Sequence, residues 1–292
     1  MEEFMSILAG LAFALTSVSG KLALKNGATA SQTTLMTLLV SVPLFALLLF
    51  LSGFPQAQGV LLWQALGWFS AAGIVSSLMA RIMYFKSIGL IGPSRLTQLV
   101  ATDSLFAIVF AFVLIGQHLS PSHIVAIVLI TVGVFLIGSE RREEAPTEGH
   151  KRLTGTFLGL GCGALYALRS TFIGMGLILV PSPIWGAFVG NFIALFVYLA
   201  YLMFTHHLSV ILPKQPGAIK WSVMAGLSYF AAWVTMFYAL VDTQVAVVAA
   251  LKNIAPLFSM GLSWLMIGKE EHLSGRVVVS CSLMILGVLV TL

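Results

Sequence analysis

Ten long apolar runs with almost no charge inside them constrain this chain more than any other feature. They read at 5–24, 33–53, 60–80, 93–115, 122–138, 153–175, 183–204, 218–240, 244–267 and 273–292. A hydrocarbon core about 30 Å thick takes roughly 20 apolar residues of helix, so the runs nearly fill the chain with short connections between them. Only 9% of residues are charged, against about 25% in soluble domains, which excludes a soluble fold. Barrel strands are excluded too, because the runs are too long and lack polar–apolar alternation. The reading is an all-α polytopic membrane protein of ten transmembrane helices. The opening "MEEF" is acidic where a removable signal peptide begins basic, so the first run is taken as a retained helix.

The charged stretch "SERREEAPTEGHKR" separates the fifth run from the sixth. It divides the chain into a first five-helix repeat (1–139), a cytoplasmic linker (140–152) and a second five-helix repeat (153–292). The halves resemble each other. "FAFVLIGQHLSPSHIVAIVLITVGVFLIG" aligns with "MGLSWLMIGKEEHLSGRVVVSCSLMILGVLVTL", placing Ile115-Gly116 on Ile267-Gly268, Leu119-Ser120 on Leu273-Ser274 and Gly133 on Gly287. Five is odd, so the second copy enters the membrane in the opposite sense. Inverted repeats of this kind serve alternating access around one central site.

The turn "IGKEEHLSG" with Glu270 and Glu271, Pro256 in the ninth run, the glycine-rich last helix of each half and Lys21 at the end of the first helix carry a family resemblance. The chain resembles the drug/metabolite transporter superfamily, in its EamA-type ten-helix branch. Ser104 stands where the first copy would have the matching proline, and Gln117-His118 replace the acidic turn. The resemblance implies a carrier, with substrates ranging over amino acids, drugs, vitamins, choline-like amines and nucleotide-linked metabolites.

Lysines and arginines fall in the odd-numbered connections: Lys21 and Lys25; Lys86 and Arg95; Arg141, Arg142, Lys151 and Arg152; Lys214 and Lys220; Lys269 and Arg276. By the positive-inside rule that face is cytoplasmic and both termini lie outside. The resemblance implies cytoplasmic termini instead; the charge count is followed here.

Charges inside the membrane mark solute or ion pathways. Lys252, in "AALKNIAPLFSMGLSWLMIG", would cost roughly 2.5–3.5 kcal/mol on insertion scales without a partner, water or a task. The repeat alignment places Lys252 on Val100 and Asn253 on Ala101, within a turn of Asp103. Asp103 is therefore read as counter-ion of Lys252 or an arginine, with a proton-coupling role as the other option. Gln98 and Thr102 sit one turn apart, a spacing that lets both face a cavity or serve equally well as polar glue between helices. Arg169 lies deep in "GCGALYALRSTFIG" one turn after Tyr166, and its planar fork suits a carboxylate or phosphate. Arg81 is a weaker candidate that also suits a helix anchor. Tyr229, Trp233 and Phe237 recur at four-residue spacing, a face for a ring or an amine, or else for lipid. Asn191 suits either a helix–helix bond or a ligand contact.

Gly155, Gly159 and Gly163 follow small-xxx-small spacing and are read as packing positions. His206-His207 is read as an interfacial cap. Cys162 and Cys281 lie in apolar runs, so no disulfide or metal site is expected. No cofactor is expected either.

These features favour a secondary carrier, an exporter of a small polar metabolite that is anionic or zwitterionic, such as an amino acid or organic anion. A multidrug or choline-like amine transporter is the alternative, disfavoured by the positive central balance. A lipid-handling enzyme lacks paired carboxylates or a histidine cluster. Expected partners are the solute, the bilayer and protons as a coupling ion, with no nucleic acid; the expected assembly is a monomer or homodimer in a bacterial inner membrane.

Overall fold

The computed structural model describes residues 2–55, 59–80, 83–84, 87, 99–100, 102–116, 120–138, 149–205, 212–252, 254–255 and scattered positions from 258 to 290. Nine helices are named here in chain order. They are α1 (Glu2–Lys25), α2 (Ala30–Ser52), α3 (Val60–Ile74), α4 (Asp103–Phe110), α5 (Pro121–Gly138), α6 (Gly149–Leu179), α7 (Pro183–Phe204), α8 (Pro216–Asp242) and α9 (Val245–Lys252). α3 and α4 each run on into a π-helical turn, Val75–Met79 and Ala111–Ile115. No strand occurs among the described residues. The chain is an all-helical polytopic membrane protein.

Among the described residues five helices are long and apolar enough to cross a bilayer: Phe4–Lys25, Ser31–Ser52, Leu153–Leu179, Pro183–Phe204 and Pro216–Val241. Val60–Ile74, Leu105–Ile115 and Ile124–Gly133 are shorter apolar helices. The second half of the ninth run and most of the tenth lie outside the described residues. Helix α6 begins at Gly149, inside the stretch read from sequence as linker. Its first turn, "GHKR", contains no helix breaker after the glycine, so the helix runs on ahead of the apolar segment.

Helix ends follow local chemistry. Thr29 caps α2: its hydroxyl accepts from Gln32 N at 3.2 Å, and Gln32 Oε1 accepts from Thr29 N at 2.8 Å, a reciprocal capping box. Pro183 and Pro216 open α7 and α8, where the missing N–H leaves no intrahelical bond unmade. Large apolar side chains point outward, Phe204 being 86% exposed and Phe50 77%. That surface suits lipid, because every backbone polar group of a spanning helix is satisfied within it.

The major helix contacts obey a two-fold exchange of α1 with α6, α2 with α7, α3 with α8 and α4 with α9. Helix α1 packs on α8 as α6 packs on α3; α2 packs on α8 as α7 packs on α3; α4 packs on α6 as α9 packs on α1. The pairs α2–α7 and α4–α9, which the exchange maps onto themselves, also touch. Two glycine pairs at one common spacing along the chain make the matched crossings close. A Cβ on Gly73 of α3 would collide with the Gly190 carbonyl of α7, and one on Gly226 of α8 would lie 2.6 Å from Val40 Cβ of α2. A Cβ on Gly163 of α6 would lie 3.0 Å from Leu99 O, and one on Gly10 of α1 3.0 Å from Lys252 O.

The connection after α1 meets the connection before α8. A Cβ on Gly217 would lie 2.6 Å from Asn26 Oδ1, and Gln32 Nε2 donates to Leu212 O at 3.2 Å. Ala23, Ala28 and Ala218 form a small buried cluster there with Trp221 packed on it. The first and seventh connections, with Lys21, Lys25, Lys214 and Lys220, therefore share one face. Traced back from that face, α7 runs toward it and α6 away from it, so α6 crosses in the opposite sense to α1. The repeat is inverted.

Candidate functional site

Helix α4 starts where the chain has just turned. Thr102 N bonds Leu99 O at 3.3 Å, three residues back instead of four. The equivalent turn interrupts the ninth run after α9: Ile254 N bonds Leu251 O, also at 3.3 Å. Leu99 and Thr102 align with Leu251 and Ile254 in the repeat register, so both halves carry the same three-residue turn bond at the same place. Non-helical backbone at membrane depth is tolerated only when buried in protein or facing a cavity. Gly163 and Gly10 supply the burial, each lying against the break of the opposite half.

Lys252 and Asp103 meet at these breaks. The Lys252 ammonium forms a salt bridge with Asp103 Oδ2, and both side chains are buried. Thr102 lies against α6. Its hydroxyl donates to Leu99 O at 2.6 Å and abuts Gly163, because the turn that ends the preceding segment uses it.

Arg169 lies 7% exposed in α6. Its guanidinium carbon sits 5.1 Å from the centre of the Tyr166 ring and 5.5 Å from that of Trp233. Nη2 reaches Met236 Sδ at 4.0 Å. Two aromatic faces are worth roughly 0.5–2 kcal/mol each to a cation, well short of what a buried charge loses by leaving water. Among the described residues Arg169 has no carboxylate partner, and its Nε lacks any hydrogen bond. The Trp233 indole N–H is likewise buried and unbonded. Both unbonded donors belong to side chains in contact, the guanidinium lying over the indole ring.

Tyr229, Trp233 and Phe237 form one column on α8, with ring centroids 5.8 and 5.5 Å apart. All three are buried, so the column faces protein and not lipid. Phe69 continues it, 5.9 Å from Phe237. Asn191 is buried in α7, where Nδ2 donates to Ala187 O at 2.8 Å and Oδ1 is unbonded. No described contact joins it to Arg169. Its neighbour Gly190 meets Gly73, which places it in the α3–α7 crossing.

Arg81, Gln98 and Asn253 lie outside the described residues, as do Arg95, Pro256, Cys281, His206-His207 and the turn "KEEHLS". Sequence reading missed Met236, Gly10 and the paired turns. Methionine and glycine are common in membrane helices, and only a tertiary neighbour distinguishes these.

A family model described as "EamA-like transporter family" matches residues 1–139 and again residues 153–292. No curated protein matches the sequence. A solved structure described only as "Crystal structure of protein" superposes with a TM-score of 0.76 at 18% identity, covering 99% of this chain and 94% of that chain. At that identity the likeness shows the fold alone.

Proposed function

Because the chain belongs to the EamA-like transporter family, whose members carry small solutes across membranes, we propose that it is a secondary exporter of a small anionic or zwitterionic metabolite, an amino acid or organic anion. One observation carries the reading: the buried Arg169, flanked by the Tyr166 and Trp233 rings, has no carboxylate partner among the described residues and keeps an unbonded Nε. The missing partner is the substrate's carboxylate or phosphate, held by Arg169 and Trp233 with Tyr166 and Tyr229 as walls. Lys252, Asp103, Gln98, Asn253, Asn191 and Arg81 complete the proposed set, and alternating access moves the two repeats around it. The proposed repeats are 1–139 and 153–292, joined by a cytoplasmic linker over 140–152. The gathering of four lysines on one face supports a cytoplasmic assignment for that face, with both termini outside. The setting proposed is a bacterial inner membrane, with the protein as monomer or homodimer.

The test is uptake by proteoliposomes of a radiolabelled panel of amino acids, organic acids and quaternary amines. Arginine and lysine differ in geometry, not charge. Arg169→Lys should cut transport of the accepted anion at least tenfold while the protein still reaches the membrane. Normal transport by that variant would make Arg169 a packing residue.

A further inference from the structure

Carriers driven by a cation hold it where interrupted helices bring carbonyl-rich ends and carboxylates together near the midplane. In this chain α4 and α9 touch, and each carries a three-residue turn bond at the repeat-equivalent position. Asp103 opens α4 at one break, buried. Lys252 lies two residues before the turn residue Ile254 at the other. The Lys252 backbone carbonyl faces Gly10 of α1, whose missing side chain lets it approach.

The seat already contains an ammonium ion, and the chain supplies it. The Lys252 Nζ lies on Asp103 Oδ2, and its stem comes from α9, which touches α4. The repeat does not require either residue: the equivalent of Lys252 is Val100 and that of Asp103 is Ala255 in the same register. A cation and its anion have been placed on an otherwise symmetric frame, and they meet.

We infer that the acceptor site at the paired helix breaks, centred on Asp103, is a monovalent-cation site permanently occupied by the tethered Lys252 ammonium, so that transport proceeds without a bound coupling cation. The second clause rests on the carrier reading; the first does not. The Lys252–Asp103 pair is neutral as a unit, so a coupling ion at Asp103 would have to displace a covalently attached competitor. Among the described residues Arg169 then remains as the uncompensated central charge, and a carboxylate-bearing solute neutralises it.

Thermal unfolding of the purified full chain in detergent tests the seat without any transport assay. Salts of choline, sodium and n-propylammonium are compared at equal ionic strength. The wild-type midpoint should be the same in all three. Lys252→Ala, which empties the seat, should unfold several degrees lower in choline and recover saturably with n-propylammonium or sodium. The folded double variant Lys252→Met/Asp103→Asn should ignore every cation. A saturable response of the wild type to sodium would overturn the inference. So would a Lys252→Ala protein that no cation restores, or a double variant that responds as strongly as the alanine variant. Loss of all anion flux in proteoliposomes would refute the carrier reading and leave these stability results standing.

Discussion

At the scale of single residues, two cations at membrane depth have different surroundings and different expected sensitivities. Lys252 has a carboxylate, so removing its charge breaks the salt bridge to Asp103. Breaking a buried pair from one side costs about 3–5 kcal/mol, and Lys252→Met should lower the folded fraction recovered from membranes accordingly. Adding Asp103→Asn should restore it, because both charges are then gone; persistent misfolding of the double variant would show that the pair does more than neutralise itself. Arg169 has aromatic faces and a thioether. Trp233→Phe keeps one such face but deletes the indole N–H, and should weaken apparent solute affinity several-fold with little change in stability; equal affinity would remove that donor from the site. The proximity of Lys252 and Asp103 was legible in the sequence, since the repeat register put them within a turn. The Arg169–Trp233 contact was not, because no spacing rule links α6 to α8.

At the scale of elements, glycine decides how closely the helices meet. Gly73→Ala would drive a methyl group into the Gly190 carbonyl, where backbone must move. Overpacking of that kind costs about 1–3 kcal/mol or more, and the unfolding midpoint should fall by several degrees. Gly67→Ala is the control, because nothing lies within 4 Å of its Cβ position; equal effects at both sites would sink the packing explanation. Gly163→Val should disturb the α4 turn at Leu99 and Thr102, impairing transport more than folding. The helices themselves were legible from hydropathy alone. Their breaks were not, because the first copy has Ser104 where the second has Pro256, and neither turn is announced by a glycine. Each turn has a glycine of the opposite half packed against it, a contact that no local pattern contains.

At the scale of the whole molecule, the odd helix count and the positions of lysine define the architecture. The meeting of the first and seventh connections fits the odd-connection grouping read from charge. A reporter fused after Leu292 should be active outside the cytoplasm and one inserted near Pro146 inside it; the reverse pattern would overturn the orientation. The α4–α9 contact maps onto itself under the exchange of halves, and the Lys252–Asp103 pair lies on it. Arg169 has no carboxylate partner among the described residues, and that makes it the residue on which the carrier proposal depends. The most direct measurement is uptake of a radiolabelled panel of amino acids, organic acids and quaternary amines by proteoliposomes containing wild-type protein or Arg169→Lys. The account predicts that wild-type protein transports at least one carboxylate-bearing solute and that Arg169→Lys loses at least tenfold of that flux while folding normally. Selective uptake of quaternary amines, unaffected by Arg169→Lys, would contradict it.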